Sequence, residues 1–453
     1  MKNKSRREFV KKTVIASTAF TIVPRFVLGG SGYVAPSDKL NIACIGVGGK
    51  GQSDVKSVAT ENIYALCDVD YKRGANSFKN YPKAHKYKDF RIMLEKEHKN
   101  IDAVMVSTPD HTHAVAAMMA IKMNKHVYCQ KPLAHDMFEV RALTEEARKR
   151  GVVTQMGIQI HATDGLKLGV EMIKSGIIGN VYKVDLWSCK GFVKGDMRKN
   201  LTTIPMNKIP SIAIPDTLDW DLWLGPAPFR AYHPQYAPSK WRKWWDFGVG
   251  RLGDMGCHIM DPAFGALDLV SPLSVQAHPQ PFTNQIVPNG TVVRWEFPKR
   301  GNLPPVSMTW HDGYNMPFMP ESSKMKEKLP SQGGLYYGEK GTILIPHRVL
   351  NTPPDKDLPR LLSVENIRDV KRPKQLFDRG TNHYQEWVKA CKGDGKTSTD
   401  FDYSGPLTET ILLGNIAAKT GGKLSWDSKK FNITNMPEAN KLLKREYREG
   451  WTL

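Results

Sequence analysis

The spacing of apolar and polar stretches divides the chain into two halves. In the first half, short apolar runs alternate with longer amphipathic or polar stretches. The runs Leu40–Ile45, Ile63–Cys67 and Ala103–Ser107 are apolar at most positions, as expected of parallel strands that are covered by helices on both faces. The stretches between the runs, such as Ala114–Met123, have the length and composition of helices. We therefore predict a doubly wound α/β domain over residues 39–155.

The pattern changes after about residue 155, where Pro, Trp and Gly become frequent and long loops separate the apolar runs. Four runs predict strands of an open, mostly antiparallel sheet: Val181–Ser188, Thr291–Phe297, Val306–His311 and Thr342–Ile345. No internal repeat is visible. The pattern therefore predicts a second domain of the α+β class over residues 156–453.

The N-terminal segment reads as a targeting signal rather than as part of either domain. The pair Arg6-Arg7 precedes the apolar run Thr13–Val23, a pattern typical of a twin-arginine export signal. A run of this length is too short to anchor a protein stably in a membrane. We expect residues 1–35 to be a signal peptide of a periplasmic or otherwise exported protein. An ordinary secretory signal and an uncleaved amphipathic arm remain the alternatives.

Charge and cysteine content narrow the range of partners. The formal net charge is +20, which would suit nucleic acid or an anionic glycan, but no block of five or more Lys or Arg and no nucleic-acid motif accompanies it. We expect no nucleic-acid partner. None of the six cysteines forms a C-x-x-C pair, so the sequence predicts no metal centre of that kind.

A glycine motif follows the first apolar run directly. Gly46, Gly48 and Gly51 match G-x-G-x-x-G, in which the glycines allow a tight turn, close approach of a pyrophosphate and close packing of helix on strand. The second run ends at Asp68, twenty residues beyond Gly48. A carboxylate there accepts a hydrogen bond from a ribose 2′-hydroxyl and repels a 2′-phosphate, which favours NAD. The nearby pair Lys72-Arg73 leaves NADP open.

Chemistry-bearing residues also follow the later strands, where ligands sit in sheets of this kind. Thr108–His113 follows the third run, and Gln130-Lys131-Pro132 follows a fourth, His126–Cys129. In the second half, Asp254 and His258 are four residues apart and share one face of a predicted helix. A carboxylate beside an imidazole orients the ring and raises its basicity.

These motifs together resemble the glucose-fructose oxidoreductase / inositol dehydrogenase / MocA family. That family carries Glu-Lys-Pro where this chain has Gln130–Pro132, and the change removes a charge beside Lys131. The resemblance runs from Lys39 to Leu453 and is closest to a subgroup with export signals, through Trp220–Pro226 and Phe401–Leu407. It implies a Rossmann NAD-binding domain, a C-terminal sheet domain for substrate and a homo-oligomer.

The resemblance also implies roles for single residues. His258, held by Asp254, would act as the base, and Lys131 would polarise the substrate oxygen, although the two assignments could be exchanged. The expected cofactor contacts are Gly46, Gly48, Gly51, Asp68, Thr108, Pro109, His113, Gln130 and Lys131. The expected substrate contacts are His161, Trp241, Arg242, Trp245 and His258, with His383 as a further pocket edge. A metal site at Asp254, His258 and Asp261 lacks residues to complete it, so we expect none.

The sequence therefore predicts an exported oxidoreductase. It would transfer hydride between a secondary alcohol of a sugar, glycoside or polyol and a tightly bound NAD. Two alternatives remain at this point: an enzyme that oxidises a glycoside transiently and cleaves it by elimination, and a non-catalytic sugar- or NAD-binding protein.

Overall fold

The computed structural model describes residues 38–189, 212–324, 328–347, 358–362 and 371–453. The first half forms a parallel six-stranded sheet in the order β3-β2-β1-β4-β5-β6. Its strands are β1 (Asn41–Ile45), β2 (Asn62–Cys67), β3 (His85–Tyr87), β4 (Ala103–Val106), β5 (His126–Cys129) and β6 (Thr154–Met156). The helices between them are α1 (Lys50–Ser57), α2 (Tyr71–Asn80), α3 (Phe90–Glu97), α4 (Asp110–Lys122) and α5 (Met137–Arg150).

This sheet confirms the predicted doubly wound architecture. The central strands β1 and β4 are buried along almost their whole length because helices cover both faces of the sheet. Strand order reverses between β1 and β4, since the chain moves outward in one direction through β2 and β3 and in the other through β5 and β6. The carboxyl ends of β1 and β4 therefore border the crevice in which such sheets bind nucleotides.

The second half forms a nine-stranded sheet in the order β13-β12-β11-β7-β10-β9-β8-β14-β15 within the described chain. Its strands are β7 (Val181–Ser188), β8 (Ser274–Pro279), β9 (Thr291–Phe297), β10 (Val306–Asp312), β11 (Gln332–Gly338), β12 (Gly341–Pro346), β13 (Arg360–Leu361), β14 (Lys423–Asp427) and β15 (Asn432–Ile433). All pairs are antiparallel except β7 with β10. The mostly antiparallel sheet predicted from the sequence is confirmed.

Among the residues that the structure describes, six helices accompany this sheet. They are α6 (Asp164–Lys174), α7 (Trp220–Leu224), α8 (Gly250–Ile259), α9 (Asp261–Leu267), α10 (His383–Cys391) and α11 (Phe401–Thr420). The long helix α11 packs on α5 of the first half as well as on β8 and β9. Both Arg141 guanidinium contacts with Glu409 are 2.7 Å long, so a bidentate ion pair joins α5 to α11. One continuous core therefore runs through both sheets.

A segment of the second half, between β7 and β8 in the sequence, lies against the first domain. We call residues 217–247 the strap. Its backbone bonds to the end of β2, because the amide of Asp219 donates to the carbonyl oxygen of Val69 and the amide of Tyr71 donates to that of Thr217. A core of its own, built on Trp220, Trp223, Trp244 and Phe247, holds the strap together. Most of the tryptophans that precede α8 therefore stabilise this segment.

The twin-arginine segment lies outside the described residues, so the export signal remains a prediction. Among the residues that the structure describes, no helix is long and apolar enough to cross a bilayer.

Candidate active site

The glycine motif forms the turn between β1 and α1. Gly46 has a φ of 76°, a backbone conformation that favours glycine. A Cβ on Gly51 would lie 1.7 Å from the carbonyl oxygen of Gly46, so α1 approaches the turn as closely as backbone atoms permit. A Cβ on Gly48 would lie 2.4 Å from Cγ of Arg73, whose side chain extends along the loop. Only glycines leave this surface open, and a dinucleotide phosphate fits such a cradle.

Asp68 supports the same loop from the end of β2. One carboxylate oxygen accepts hydrogen bonds from the amides of Val47 and Gly48, at 2.9 and 3.0 Å, and the other accepts one from Asp70. Burial raises the pKa of Asp68, and the three backbone donors oppose that effect. The side chain lines the crevice wall, so its predicted contact with a ribose hydroxyl stays a prediction.

The crevice consists of two adjoining cavities that share six lining residues: Gly48, Arg73, Ser107, Thr108, Pro109 and Pro238. The first cavity, of about 100 Å³, lies between Asp68 and the strap. The second, of about 280 Å³, extends from Gly48 to His258 and also includes Lys131 and Arg242. One continuous crevice thus leads from the glycine loop to the predicted catalytic residues, as a dinucleotide with a substrate at its far end requires.

Lys131 and Asp254 meet at the far end of this crevice. The Lys131 ammonium donates to a side-chain oxygen of Asp254 at 2.7 Å and to its backbone oxygen at 2.5 Å. Arg242 donates through Nε to the same side-chain oxygen at 3.0 Å, and Arg251 lies 3.6 Å from the other. Burial alone would raise the pKa of Asp254, but the charges of Lys131 and Arg242 lower it well below its usual range.

The pairing corrects one prediction. Asp254 was expected to orient His258, yet it bonds to Lys131 and Arg242 instead, because those cations compete for the same carboxylate. His258 makes no hydrogen bond within the described chain, and its Nδ1 is buried. Its ring lies 5.7 Å from that of His347, which follows β12. Burial, followed by the charge of Lys131, holds the pKa of His258 well below its usual value, so the ring is neutral near pH 7.

Two residues near this centre were not among the predicted site residues. His347 reaches His258 only because β12 folds back across the sheet, and nothing in its sequence surroundings signals this. Asp110 begins α4 and lines the crevice close to Lys131, Arg242 and Asp254. Burial raises the pKa of Asp110 to about 7 against the lowering effect of Arg242 and Lys131. Asp110 directly follows the Thr108-Pro109 pair, and this position in the sequence could have identified it as a site residue.

Gln130, which replaces the family's glutamate, is held by a buried carboxylate. Its side-chain amide donates to Asp54 at 2.9 Å, and Ser107 donates to the same oxygen at 2.8 Å. The other oxygen of Asp54 accepts from Lys50 and Tyr384, each at 2.6 Å. A glutamate at position 130 would place a second negative charge against Asp54, so glutamine matches this chain's own surroundings.

His113 is not placed to contact a cofactor, which corrects the predicted assignment. The side chain is buried, and its two ring nitrogens lie 2.8 and 2.9 Å from the carbonyl oxygens of Pro132 and Thr108. Both nitrogens are therefore occupied by backbone. His113 ties together the two loops that carry Thr108, Pro109 and Lys131, and so positions the crevice wall rather than forming it.

Three further predicted substrate contacts lie away from the described wall of the crevice. His161 bonds through Nδ1 to the buried carboxylate of Asp261 at 2.9 Å, because that anion needs a partner. His383 is buried and bonds to the backbone of Met156. Trp245 lines a different cavity, beneath Lys419. Trp241 and Arg242 do line the crevice, as expected. Among the described residues, no cluster of three or more His, Cys, Asp or Glu could hold a metal ion.

Fold and crevice together define a two-domain protein whose parallel half is built to bind a dinucleotide. Residues 40–158 match a family model described as "Oxidoreductase family, NAD-binding Rossmann fold". Residues 166–359 match one described as "Oxidoreductase family, C-terminal alpha/beta domain". Both models represent Gfo/Idh/MocA proteins, and together they cover more than half of the chain. The chain therefore belongs to the Gfo/Idh/MocA family of oxidoreductases, and its cofactor is NAD.

Known proteins resemble parts or all of the chain. A myo-inositol 2-dehydrogenase from Thermotoga maritima is 28% identical over 152 residues, which cover 33% of this chain and 45% of the relative. The chain thus spans about half the length of the curated relatives it matches. The WlbA dehydrogenase from Bordetella pertussis, solved with NADH and UDP-GlcNAcA, has a TM-score of 0.58 at 15% identity, covering 86% of this chain and 99% of that chain.

A second solved structure gives the same picture. An inositol dehydrogenase homologue from Azotobacter vinelandii, complexed with NADH and myo-inositol, has a TM-score of 0.57 at 16% identity, covering 86% of this chain and 98% of that chain. At such identity the likeness shows the fold.

Proposed function

We propose that this protein is an NAD-dependent dehydrogenase that transfers hydride between a secondary alcohol of a sugar or polyol and the bound nicotinamide. The observation that carries the proposal is the crevice itself. The glycine loop borders the first cavity, and Lys131 and His258 border the second, which adjoins the first through six shared lining residues. Dehydrogenases of inositol among the relatives support a polyol or sugar as the substrate class.

The residues at the far end have complementary tasks. When bound, NAD supplies the hydride acceptor. Two N–H groups of Lys131 are committed to Asp254, which leaves a third to donate to the substrate oxygen. His258 is neutral and has a free ring nitrogen on the crevice, so it can accept the hydroxyl proton. Both groups must lie within hydrogen-bond reach of the same oxygen.

The test begins with the protein as purified. Nucleotide released by denaturation is identified by mass spectrometry, and the native protein is then offered a panel of sugars, polyols and glycosides. We expect NAD in the released fraction, and a ketone product with a matching change in nicotinamide absorbance for at least one member of the panel. Free monosaccharide from a glycoside without a net absorbance change would instead support redox-neutral cleavage. If neither released nucleotide nor turnover is detected, the proposed dehydrogenase is excluded and a non-catalytic binding protein is the remaining alternative.

We further propose export by the twin-arginine route with the cofactor already in place. That route carries folded proteins, and the sequence around Arg6-Arg7 motivates the proposal. An exported enzyme without a supply of free NAD must keep the molecule it carries. Fractionation of cells that express the full chain, with the Arg6→Lys/Arg7→Lys double variant as the control, tests the route. Equal amounts of both proteins outside the cytoplasm would contradict it.

A further inference from the structure

Arg242 presents an unoccupied hydrogen-bonding edge to the crevice. Its Nε–H donates to Asp254 at 3.0 Å, and its guanidinium carbon lies 4.2 Å from the centroid of the Trp241 ring. These two contacts hold the guanidinium in place. Its two terminal amino groups make no hydrogen bond to any described residue, and about a third of the side chain, 35%, is exposed in the crevice.

The backbone around Arg242 is held as firmly as the side chain. A Cβ on Gly248 would lie 2.6 Å from Cα of Arg242, so the chain after the strap packs directly against this residue. The neighbouring Lys243 is buried and donates to Gln235 within the strap. The orientation of Arg242 is therefore set before any ligand arrives, which reduces the entropy lost on binding.

The charges around the far end of the crevice do not balance. Lys131 and Arg242 both donate to the single carboxylate of Asp254, so two cations share one anion there. At the other end, Lys50 is paired with Asp54. Asp110 lines the second cavity and is buried, and this burial opposes its ionisation. When NAD is bound, the glycine loop would hold its pyrophosphate, at the end of the crevice away from Arg242.

We propose that the substrate is an acidic sugar, one that carries a carboxylate, sulfate or phosphate group, and that the free edge of Arg242 binds this group. The inference rests on the proposed function and names its substrate class. A planar guanidinium with two free amino groups matches the two oxygens of such a group in a bidentate arrangement. Trp241 is buried, and its contact with the guanidinium holds the binding edge in place.

The test compares matched pairs on the NAD-loaded protein. Calorimetry measures the affinity for glucose against glucuronate, galactose against galacturonate, and glucose against its 6-sulfate and 6-phosphate; turnover is measured in parallel. We expect at least one acidic member to bind ten-fold or more tightly than its neutral partner. The acid that binds best identifies whether carboxylate, sulfate or phosphate is the natural group.

Variants separate recognition from general damage. Arg242→Met should remove most of the preference for the acidic member, measured as the ratio of its affinity to that of the neutral sugar. Arg242→Lys should restore part of the preference, because it keeps the charge without the bidentate edge. Lys79→Met, an exposed cation of α2 away from the crevice, should leave the preference unchanged.

The proposal is overturned by neutral members that bind as well as every acidic partner, by acidic members that show no saturable binding, or by a preference that survives Arg242→Met. In any of these cases, oxidation of a neutral sugar with reduction of the bound NAD would leave the proposed function standing. Loss of the acid preference together with an equal loss of neutral-sugar binding would mean that Arg242 only supports Asp254, and would also overturn it.

Discussion

The pKa values of two neighbouring aspartates are shifted in opposite directions by their surroundings. Three cations surround Asp254 and keep it ionised. Asp110 faces the same cations from the start of α4, but burial dominates there and raises its pKa to about 7. A carboxyl that titrates near neutral pH at the edge of a reaction centre changes the local charge within the working range of most enzymes.

The raised pKa of Asp110 makes the stability of the folded chain depend on pH. The unfolded chain ionises this carboxyl near its ordinary value of 3.8, whereas the folded chain retains the proton up to about pH 7. The folded state therefore loses stability as pH rises between these values. We expect Asp110→Asn to remove part of that loss, a difference on the order of 1–4 kcal/mol between pH 5 and pH 8.

Urea unfolding of the nucleotide-free protein at both pH values measures the effect. Asp394→Asn, a substitution of an exposed aspartate, serves as the control and should show the wild-type pH dependence. An Asp110→Asn variant with the same pH dependence as wild type would contradict the assignment.

Lys131 and His258 should contribute to turnover far more than to nucleotide binding. We expect Lys131→Ala or His258→Ala to lower kcat on the order of 10²-fold or more, as for loss of a positioned acid or base. Retained NAD, measured after denaturation, should stay near the wild-type amount because the glycine loop is unchanged. His278→Ala, an exposed histidine of β8, is the matched control. Near-normal turnover in both site variants would place the chemistry elsewhere.

Residue types and spacing predicted which side chains meet, but not how they pair. Lys131, Asp254 and His258 do share one region, as the motifs implied. The pairing of Asp254 with Lys131 rather than His258 depends on Arg242 and Arg251, whose approach is set by tertiary packing. His113 has the motif position of a ligand contact, yet its partners are backbone carbonyls that no sequence pattern reveals.

At the scale of elements, the turn between β1 and α1 has the least freedom to change. Its third glycine lies so close to the first that even a methyl group must displace the helix. Because the loop is this short, the amino end of α1 lies directly at the crevice. The helix dipole favours an anion at that end.

Gly51→Ala should therefore separate α1 from the sheet. A Cβ placed 1.7 Å from a carbonyl oxygen cannot be relieved by a rotamer change, so we expect destabilisation on the order of 1–3 kcal/mol and loss of most bound NAD. Thermal unfolding and the nucleotide content of purified protein measure both effects. Gly422→Ala is the control, because its Cβ would meet only the flexible end of Met436. Full NAD content in the Gly51 variant would show that the loop tolerates the shift.

The elements that could be predicted were those whose buried side chains form an apolar run in the sequence. Strand β1 and strand β7 were located within a residue of their observed bounds because their side chains are largely buried. Strand β3 has exposed side chains at two of its three positions and no apolar run, so the pattern held no signal for it. Helix α4 begins at Asp110, before the apolar stretch that predicted it, because polar residues form its first turn.

For the whole molecule, the strap is the feature that encloses the cofactor site. It crosses from the second half to the end of β2 and supplies Leu218, Leu222, Trp223 and Pro238 to the cavity beside Asp68. A dinucleotide bound there is covered by residues from both halves. Its release would require the strap to move, which lowers the dissociation rate.

We therefore expect NAD to survive dialysis at close to one molecule per chain. Leu222→Ala, which removes part of the cavity wall, should speed its release several-fold while the activity at saturating NAD stays near normal. Nucleotide assay after timed dialysis measures the release, and Leu376→Ala, an exposed leucine, is the control. A wild-type protein that emerges empty and regains activity only with millimolar NAD would refute retention.

Contacts between early and late parts of the chain also determine when the first half can complete its folding during synthesis. Asp54 receives Tyr384 from 330 residues further along, and Glu139 receives Arg445 from 306 residues further along. Domains generally fold as they emerge during synthesis. Here two buried carboxylates of the half that is translated first keep local donors but lack one partner each, Tyr384 and Arg445, until the C-terminal part has been added. These contacts of the first half therefore form only once Arg445 has been translated, and a ribosome-stalled chain of residues 1–160 should be more sensitive to protease than the 453-residue chain.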